Sequence, residues 1–343
     1  MDELPIEIQL ERLLQTMPFG EMTDQPVSIS GGLMHRMYAV ATPKGKFAIK
    51  ALNPQIMLRP EAKRNFMNSE RIAQLAAVHV PALPAKIVNG EFLHLVGGRY
   101  YLLFEWLDGV RLQPGEIGTP HCGLMGALLA DIHSIRFDEL ELQAPAAEVA
   151  QDSDCTDWHK YARQGREQIA EWAGQLEAAA DELHIWEKKS AQAAHSLAAD
   201  RLVISHRDLD PKNVMWGDNG RPVTIDWEAA GFVHPMQELT ETAIYWSENE
   251  AGDVEQDRFH AFISGYRNRA GTIDADWRSV LECGFAGKLG WLAYNLRRSL
   301  GLESINEDER RLGSEQAVLT LRSLGRYAEA IPVYERWLRE YSA

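Results

Sequence analysis

The sequence predicts an α+β chain of two lobes, a small antiparallel sheet carrying one helix followed by a larger, mainly helical lobe. Three observations predict it. Short apolar runs with strand character are concentrated before Asp108-Gly109. Long helical patterns dominate after that point. One compact β-like interruption, over 202–227, divides those helices.

The runs Met37 to Thr42 and Lys46 to Ala51, joined by the turn-forming Pro43-Lys44-Gly45, predict a β-hairpin. The amphipathic stretch from Arg59 to Val78 predicts a helix with Pro60 in its first turn, ended by Pro81 and Pro84. Ala85 to Val88 and Tyr100 to Glu105 read as two further strands. In the second lobe, Leu124 to Ile135 predicts a helix, and acidic, Ala-rich helices fill about 157–199. The expected division is 1–105 for the first lobe and 106–343 for the second, with a hinge at about 104–109.

The chain has 343 residues, enough for one enzyme of two lobes. At 45% hydrophobic and 25% charged residues it can build a packed core, and disorder is not indicated. A net charge of -15 argues against nucleic acid and anionic membranes as partners. The start, MDELPIEIQLERLLQTM, lacks the basic and apolar regions of a signal peptide, and no run approaches the ~20 apolar residues of a membrane span. Cys122, Cys155 and Cys283 are odd in number and widely spaced, and read as free thiols in a reducing cytoplasm. The expectation is therefore a cytoplasmic enzyme, a monomer or weak dimer.

The strongest signal is the run Ser205 to Asn213, SHRDLDPKN, with Asn213 five residues after Asp208. Thirteen residues further on, the apolar run Val223-Thr224-Ile225 ends in Asp226. Phosphoryl transfer to a hydroxyl needs such a set. One carboxylate, Asp208, must face the hydroxyl and take its proton. A neutral amide oxygen, Asn213, and a second carboxylate, Asp226, supply hard oxygen ligands for the Mg²⁺ that clamps the nucleotide phosphates. His206 is expected to brace the loop by hydrogen bonding. A lone His-x-Asp would be a chance match in a charged turn; the longer pattern is much more specific.

HRDLDPKN followed by IDWE resembles the aminoglycoside phosphotransferase family, whose relatives include choline, homoserine and fructosamine kinases, and is similar to the catalytic loop of protein kinases. The resemblance implies a bilobal protein-kinase-like fold and transfer of the γ-phosphate of ATP or GTP. Phe47-Ala48-Ile49-Lys50 matches the strand lysine of that pattern, with Ala48 and Lys50 on one sheet face and Phe47 and Ile49 on the other. Lys50 then needs a carboxylate on the following helix. Glu70, on the face of Phe66 and Ala73, is chosen over Glu61. Backbone groups of Glu105, Trp106 and Leu107 resemble the family's purine-binding hinge, and Ser30, Gly31 and Gly32 stand where a phosphate-covering loop is expected. The glycine-rich fingerprint and the Ala-Pro-Glu of protein kinases are absent, which implies a small-molecule kinase. Arg207 stands where antibiotic kinases usually carry Gly.

Acidic residues follow Asp226, and Glu228, Glu238 and Glu241 are expected to hold a cationic acceptor, with Tyr245 and Trp246 among them. An aminoglycoside-type acceptor is the first expectation, and a choline, homoserine or fructosamine-type metabolic kinase the alternative. A catalytically inactive nucleotide-binding or coat-type scaffold is a third reading, opposed by the joint presence of Lys50, Asp208, Asn213 and Asp226.

Overall fold

The computed structural model describes residues 5–29, 34–144, 155–197, 202–304 and 306–341. The smaller lobe is a five-stranded antiparallel sheet of β1 (Val27–Ile29), β2 (Arg36–Thr42), β3 (Gly45–Ala51), β4 (Leu93–Val96) and β5 (Arg99–Glu105), in the order β1-β2-β3-β5-β4. Strand alternation decides what each face does. Tyr38, Val40, Phe47, Ile49, Tyr101 and Leu103 point to one side, where Leu10, Leu13 and Leu14 of helix α1 (Ile6–Gln15) cover them. Lys50 pairs with Leu102 in register, and Ala48 with Phe104, so these four share the opposite face, as the alternation in β3 predicts.

The lobe departs from the sequence expectation in three places. It carries more than one helix. α1 precedes the sheet, and its leucines at spacing three and four make the buried stripe. A short α2 (Pro54–Met57), capped by the Asn53 side chain, comes before the main helix α3 (Ala62–His79), which leaves Pro60 outside rather than in its first turn. The run Ala85 to Val88 is not a strand. Its backbone is spent locally, Ala85 N–H on the Glu70 carboxylate and Lys86 N–H on Leu103. The fourth strand is Leu93–Val96, turned into β5 by Gly97 and Gly98, both at positive φ. That Gly-Gly between apolar runs is a tight-hairpin signal present in the sequence.

The larger lobe is built from α4 (Thr119–Ser134), α5 (Trp158–Glu167), α6 (Ala173–Ser196), α7 (Pro235–Ser247), α8 (Gln256–Ala270), α9 (Trp277–Cys283), α10 (Phe285–Ser299) and α11 (Glu307–Arg339). Between α6 and α7 lie four short strands, β6 (Val203–Ser205), β7 (Val214–Trp216), β8 (Pro222–Thr224) and β9 (Gly231–Val233). They pair as two antiparallel ribbons, β6 with β9 and β7 with β8. These ribbons carry the whole interruption seen in the sequence.

Two devices fix the lobes to each other. Helix α3 contributes Phe66 to the small lobe's apolar cluster and Ile72, Ala73 and Ala76 to the large core, so one rigid rod belongs to both. The segment after α3 then docks on β8. Thr224 N–H donates to Pro81 and Leu83 N–H to Thr224, in a parallel bridge two residues before Asp226. No helix among the described residues is long and apolar enough to cross a membrane.

Candidate active site

The loop after β6 is held by internal hydrogen bonds. His206 is fully buried. Its Nδ1 accepts from Asp208 N–H at 3.3 Å, and its Nε2 lies 3.0 Å from the Ile225 carbonyl, which fixes the proton on Nε2. One imidazole thus ties the loop to the strand end that carries Asp226, and it acts as the expected brace. Asn213 Nδ2 donates to both the backbone and the carboxylate of Asp208, each at 2.8 Å. The amide's Oδ1 is the atom turned over to other work. Ile225 N–H in turn donates to Asn213 O, placing the two residues expected to share a cation side by side.

Arg207 adopts φ +65° and Asp226 φ +62°, the left-handed region that costs a side-chain-bearing residue about 1–2 kcal/mol. This gives a reason for glycine at the position of Arg207 in similar loops. Here the strained peptide has a strong partner, since Arg207 N–H donates to Glu238 Oε1 at 2.6 Å. The other Glu238 oxygen meets His133 Nε2 at 2.8 Å, and His133 Nδ1 meets the Tyr266 hydroxyl at 2.8 Å. Burial disfavours the charged form of Glu238, yet His133 and the Arg207 amide hold its carboxyl below the ordinary range. Glu238 is 2% exposed and braces the loop from behind. Its expected contact with an acceptor is therefore corrected, because both of its oxygens are consumed inside the protein.

Lys50 meets Asp226 Oδ1 at 2.6 Å and also contacts Glu228 Oε2. Glu228 is the corrected partner of Lys50, in place of Glu70, and its Oε2 is the atom committed to that contact. Glu70 is 2% exposed and accepts from Ala85 N–H at 2.9 Å. Burial pushes its carboxyl up to about 7, although the Ala85 hydrogen bond and the nearby Lys50 pull the other way. α3 does turn Glu70 inward, as its helical face predicts, but the inward direction ends on the loop after Pro84.

His35 completes the group and has no counterpart in the sequence reading. Its Nδ1 accepts from Asn53 N–H at 3.0 Å, and its Nε2 lies 3.4 Å from the Glu228 carboxylate. Burial and the Lys50 charge drive its pKa down to about 3, so it is a neutral donor. Burial also acts on the two carboxyls. Glu228 rises to about 7, while at Asp226 the Lys50 ammonium wins and lowers it. No periodicity announced His35; it ends a loop and is brought in by β2.

Asp208 lies in the same cleft. Burial raises its carboxyl pKa, against the pull of Lys212, and the charge of Asp226 reaches it. Lys212 Nζ stands 3.3 Å from Asp208 and 2.6 Å from Asp210. The motif contained this lysine, but sequence reasoning gave it no role.

At the hinge, Trp106 N–H donates to Lys46 O at 3.2 Å and its indole to Asp108 at 2.8 Å. That N–H donor is therefore spent within the protein, which leaves the Trp106 carbonyl as the backbone group it could offer a purine. The Glu105 carboxylate pairs with Lys86, and Leu107 continues the exit from β5. Ser30, Gly31 and Gly32 lie outside the described residues. Cys122 and Cys283 are buried free thiols. Cys155, His184 and Glu187 offer ligand atoms within 4.8 Å of one another on α6 and the segment before α5, although both Glu187 oxygens accept from Thr156 N–H.

Beyond Glu238 on α7, Glu241 is half-buried and accepts from Gln237 at 3.2 Å. Burial raises its carboxyl pKa, and Lys288 on α10 opposes the rise. Tyr245, one turn further, feels both Lys288 and Asp208. Helix α7 packs against the Asp208 loop, its Trp246 indole N–H donating to Leu209 O at 2.9 Å.

The family model of the phosphotransferase enzyme family matches residues 27–272. Solved structures share the fold. Spectinomycin phosphotransferase, in complex with ADP and spectinomycin, superposes with a TM-score of 0.69 at 14% identity, covering 95% of this chain and 98% of that one. The microcompartment-associated aminopropanol kinase gives 0.62 at 16%, covering 94% and 98%. Choline kinase from Cryptosporidium parvum gives 0.57 at 12%, covering 98% and 99%. The chain belongs to the phosphotransferase enzyme family, with the bilobal kinase-like fold, and transfers phosphoryl groups to hydroxyl acceptors.

Proposed function

We propose that this chain transfers the γ-phosphoryl group of ATP or GTP to the hydroxyl of a small amine-bearing alcohol, in the cleft between lobes that divide near residues 104–109. The observation that carries the reading is the convergence of Lys50, Asp208, Asn213 and Asp226. Lys50 touches Asp226, Asn213 touches Asp208, and His206 links the Asp208 loop to Ile225.

Asp208 orients the acceptor hydroxyl. As that oxygen bonds to the γ-phosphorus, the bond to the β,γ-bridging oxygen breaks, the hydroxyl proton passes to Asp208, and the nucleoside diphosphate leaves. Burial makes Asp208 a stronger base than an exposed aspartate, which suits it to accept the proton. Lys212, already against Asp208, is placed to meet charge on the transferred group. Asn213 Oδ1 and the Asp226 carboxylate are a hard-oxygen pair that fits Mg²⁺, which would neutralise phosphate charge when bound. Lys50 serves the α- and β-phosphates, held in line by Glu228 and, through it, by His35. Glu105 and Leu107 would offer backbone groups to the purine.

Of three glutamates expected to line an acceptor site, Glu228 faces Lys50 and Glu238 is internal, which leaves Glu241. A site that holds a lysine near its carboxylates is a poor match for a polycation. This favours a small metabolic acceptor with one amine over an aminoglycoside. The reading is tested by nucleoside-diphosphate release with ATP and GTP against aminoglycosides, choline, amino alcohols and hydroxy amino acids. Asp208→Ala is expected to lose about 10³-fold or more in kcat while retaining nucleotide binding; equal turnover by variant and wild type would remove Asp208 from its role.

A further inference from the structure

Lys288 is a cation without a carboxylate in contact. It projects from α10 and is half-buried. Its amine lies 4.9 Å from the centre of the Tyr245 ring and 5.0 Å from that of Tyr327. Its hydrogen bond is a long one, 3.4 Å to the Tyr245 hydroxyl. Among the described residues no carboxylate oxygen comes within 4.0 Å of it. Glu241 and Glu248 stand further off, close enough for their titration to feel its charge. An ammonium has three N–H donors, and removal from water is costly unless they are used. The two rings hold the stem and charge in place but accept none of those hydrogens well. The amine is thus fixed with donor capacity to spare.

Its location gives that capacity a use. Helix α7, whose Tyr245 touches the amine, is tied to the loop on both sides of Asp208: Arg207 N–H donates to Glu238 Oε1 at 2.6 Å, and the Trp246 indole N–H donates to Leu209 O at 2.9 Å. The group therefore stands next to the loop that must face the acceptor hydroxyl.

We infer that Lys288 receives a carboxylate of the acceptor, while Glu241 and Glu248 receive its amine, so that the substrate class is a hydroxylated amino acid. This rests on the chain being a small-molecule kinase as proposed above. A zwitterion matches the site charge for charge: its anion completes the lysine, and its cation meets Glu241 and Glu248, neither of which makes an ion pair among the described residues.

The test uses matched pairs that differ by one carboxylate: serine and ethanolamine, homoserine and 3-aminopropan-1-ol, threonine and 1-aminopropan-2-ol. The full chain with ATP and Mg²⁺ is expected to favour the acid in at least one pair by about tenfold or more in kcat/KM. Lys288→Met should reduce that ratio by at least about tenfold, chiefly through KM of the acid, and Lys288→Arg should keep most of it. Lys288→Gln replaces the Met variant if that one fails to fold. A wild-type preference for the decarboxylated member of every pair, or a ratio unmoved by Lys288→Met, overturns the inference. So does transfer to aminoglycosides with none to either member of any pair, an outcome that leaves the kinase reading standing. Transfer to no hydroxyl at all, in a protein that binds no nucleotide, overturns both.

Discussion

Two lysines, Lys50 on β3 of the smaller lobe and Lys288 on α10 of the larger, are held in different ways. Lys50 is pinned by direct ion pairs to Asp226 and Glu228. Lys288 rests over two tyrosine rings with its nearest carboxylates out of contact. The first amine has its charge answered within the protein, and so helps to set the geometry of the carboxylates around it. The second keeps hydrogen-bonding capacity to spare. The same division separates Glu238 and Glu241, one turn apart on α7. One has both oxygens occupied internally, whereas the other is half-buried beside the cleft. Which charged residues serve a ligand is decided by what else already satisfies them, and neither residue type nor helical position reveals that.

The largest effect expected from this contrast is at Glu238. Glu238→Ala strands the Arg207 amide and His133, and should cost about 3 kcal/mol in chemical denaturation, with kcat falling and acceptor KM little changed. A raised KM at unchanged stability would instead return Glu238 to the acceptor site. The next is Glu70, whose carboxyl rises from 4.5 to about 7 in the folded chain. At pH 4 both folded and unfolded states hold the proton. Between pH 4.5 and 7 the unfolded chain releases it first, so stability falls as pH rises through that window. Relative to Glu70→Gln, the wild type should lose up to about 3 kcal/mol between pH 4 and pH 8; parallel stability curves would show that burial does not hold the proton there.

The two lysines themselves provide a direct comparison. Lys50→Met leaves Asp226 and Glu228 facing each other, and should cost about 2 kcal/mol, less than a fully buried pair because Asp226 is partly exposed. Lys288→Met should change stability by less than about 1 kcal/mol, since no ion pair is broken. Equal losses in thermal unfolding would erase the distinction drawn here. An effect of opposite sign is expected at Arg207, where Arg207→Gly relieves a left-handed backbone and should raise stability by a few tenths to about 1 kcal/mol with the Glu238 contact intact. A loss of stability would mean that the arginine side chain, not the backbone, dominates that position.

Much of the candidate site was legible because it is local. Asp208 and Asn213 are five residues apart in one loop, and the hydrogen bond between them follows from that closeness. Alternation in β3 likewise fixed the face of Lys50. What escaped depended on partners far along the chain. Lys50 and Glu228 are separated by 178 residues, and His35 meets Glu228 from the opposite lobe. The Glu70 expectation failed for a related reason. Helical periodicity gives a direction, toward the interior, but it does not say which interior group is waiting. Helix α1 and strand β4, by contrast, were written in the leucine spacing and in Gly97-Gly98.

The fold class, the hydrogen-bonded loop of Asp208 and Asn213 and the face of the strand lysine are set by the sequence alone, because each depends on the periods of the backbone and on neighbours within a few residues. The assignment of Glu228 to Lys50, of Glu238 to Arg207 and His133, and of Lys288 to an aromatic seat was decided only by tertiary packing. Long-range charge pairing depends on which groups are desolvated together, and that is a property of the assembled cleft.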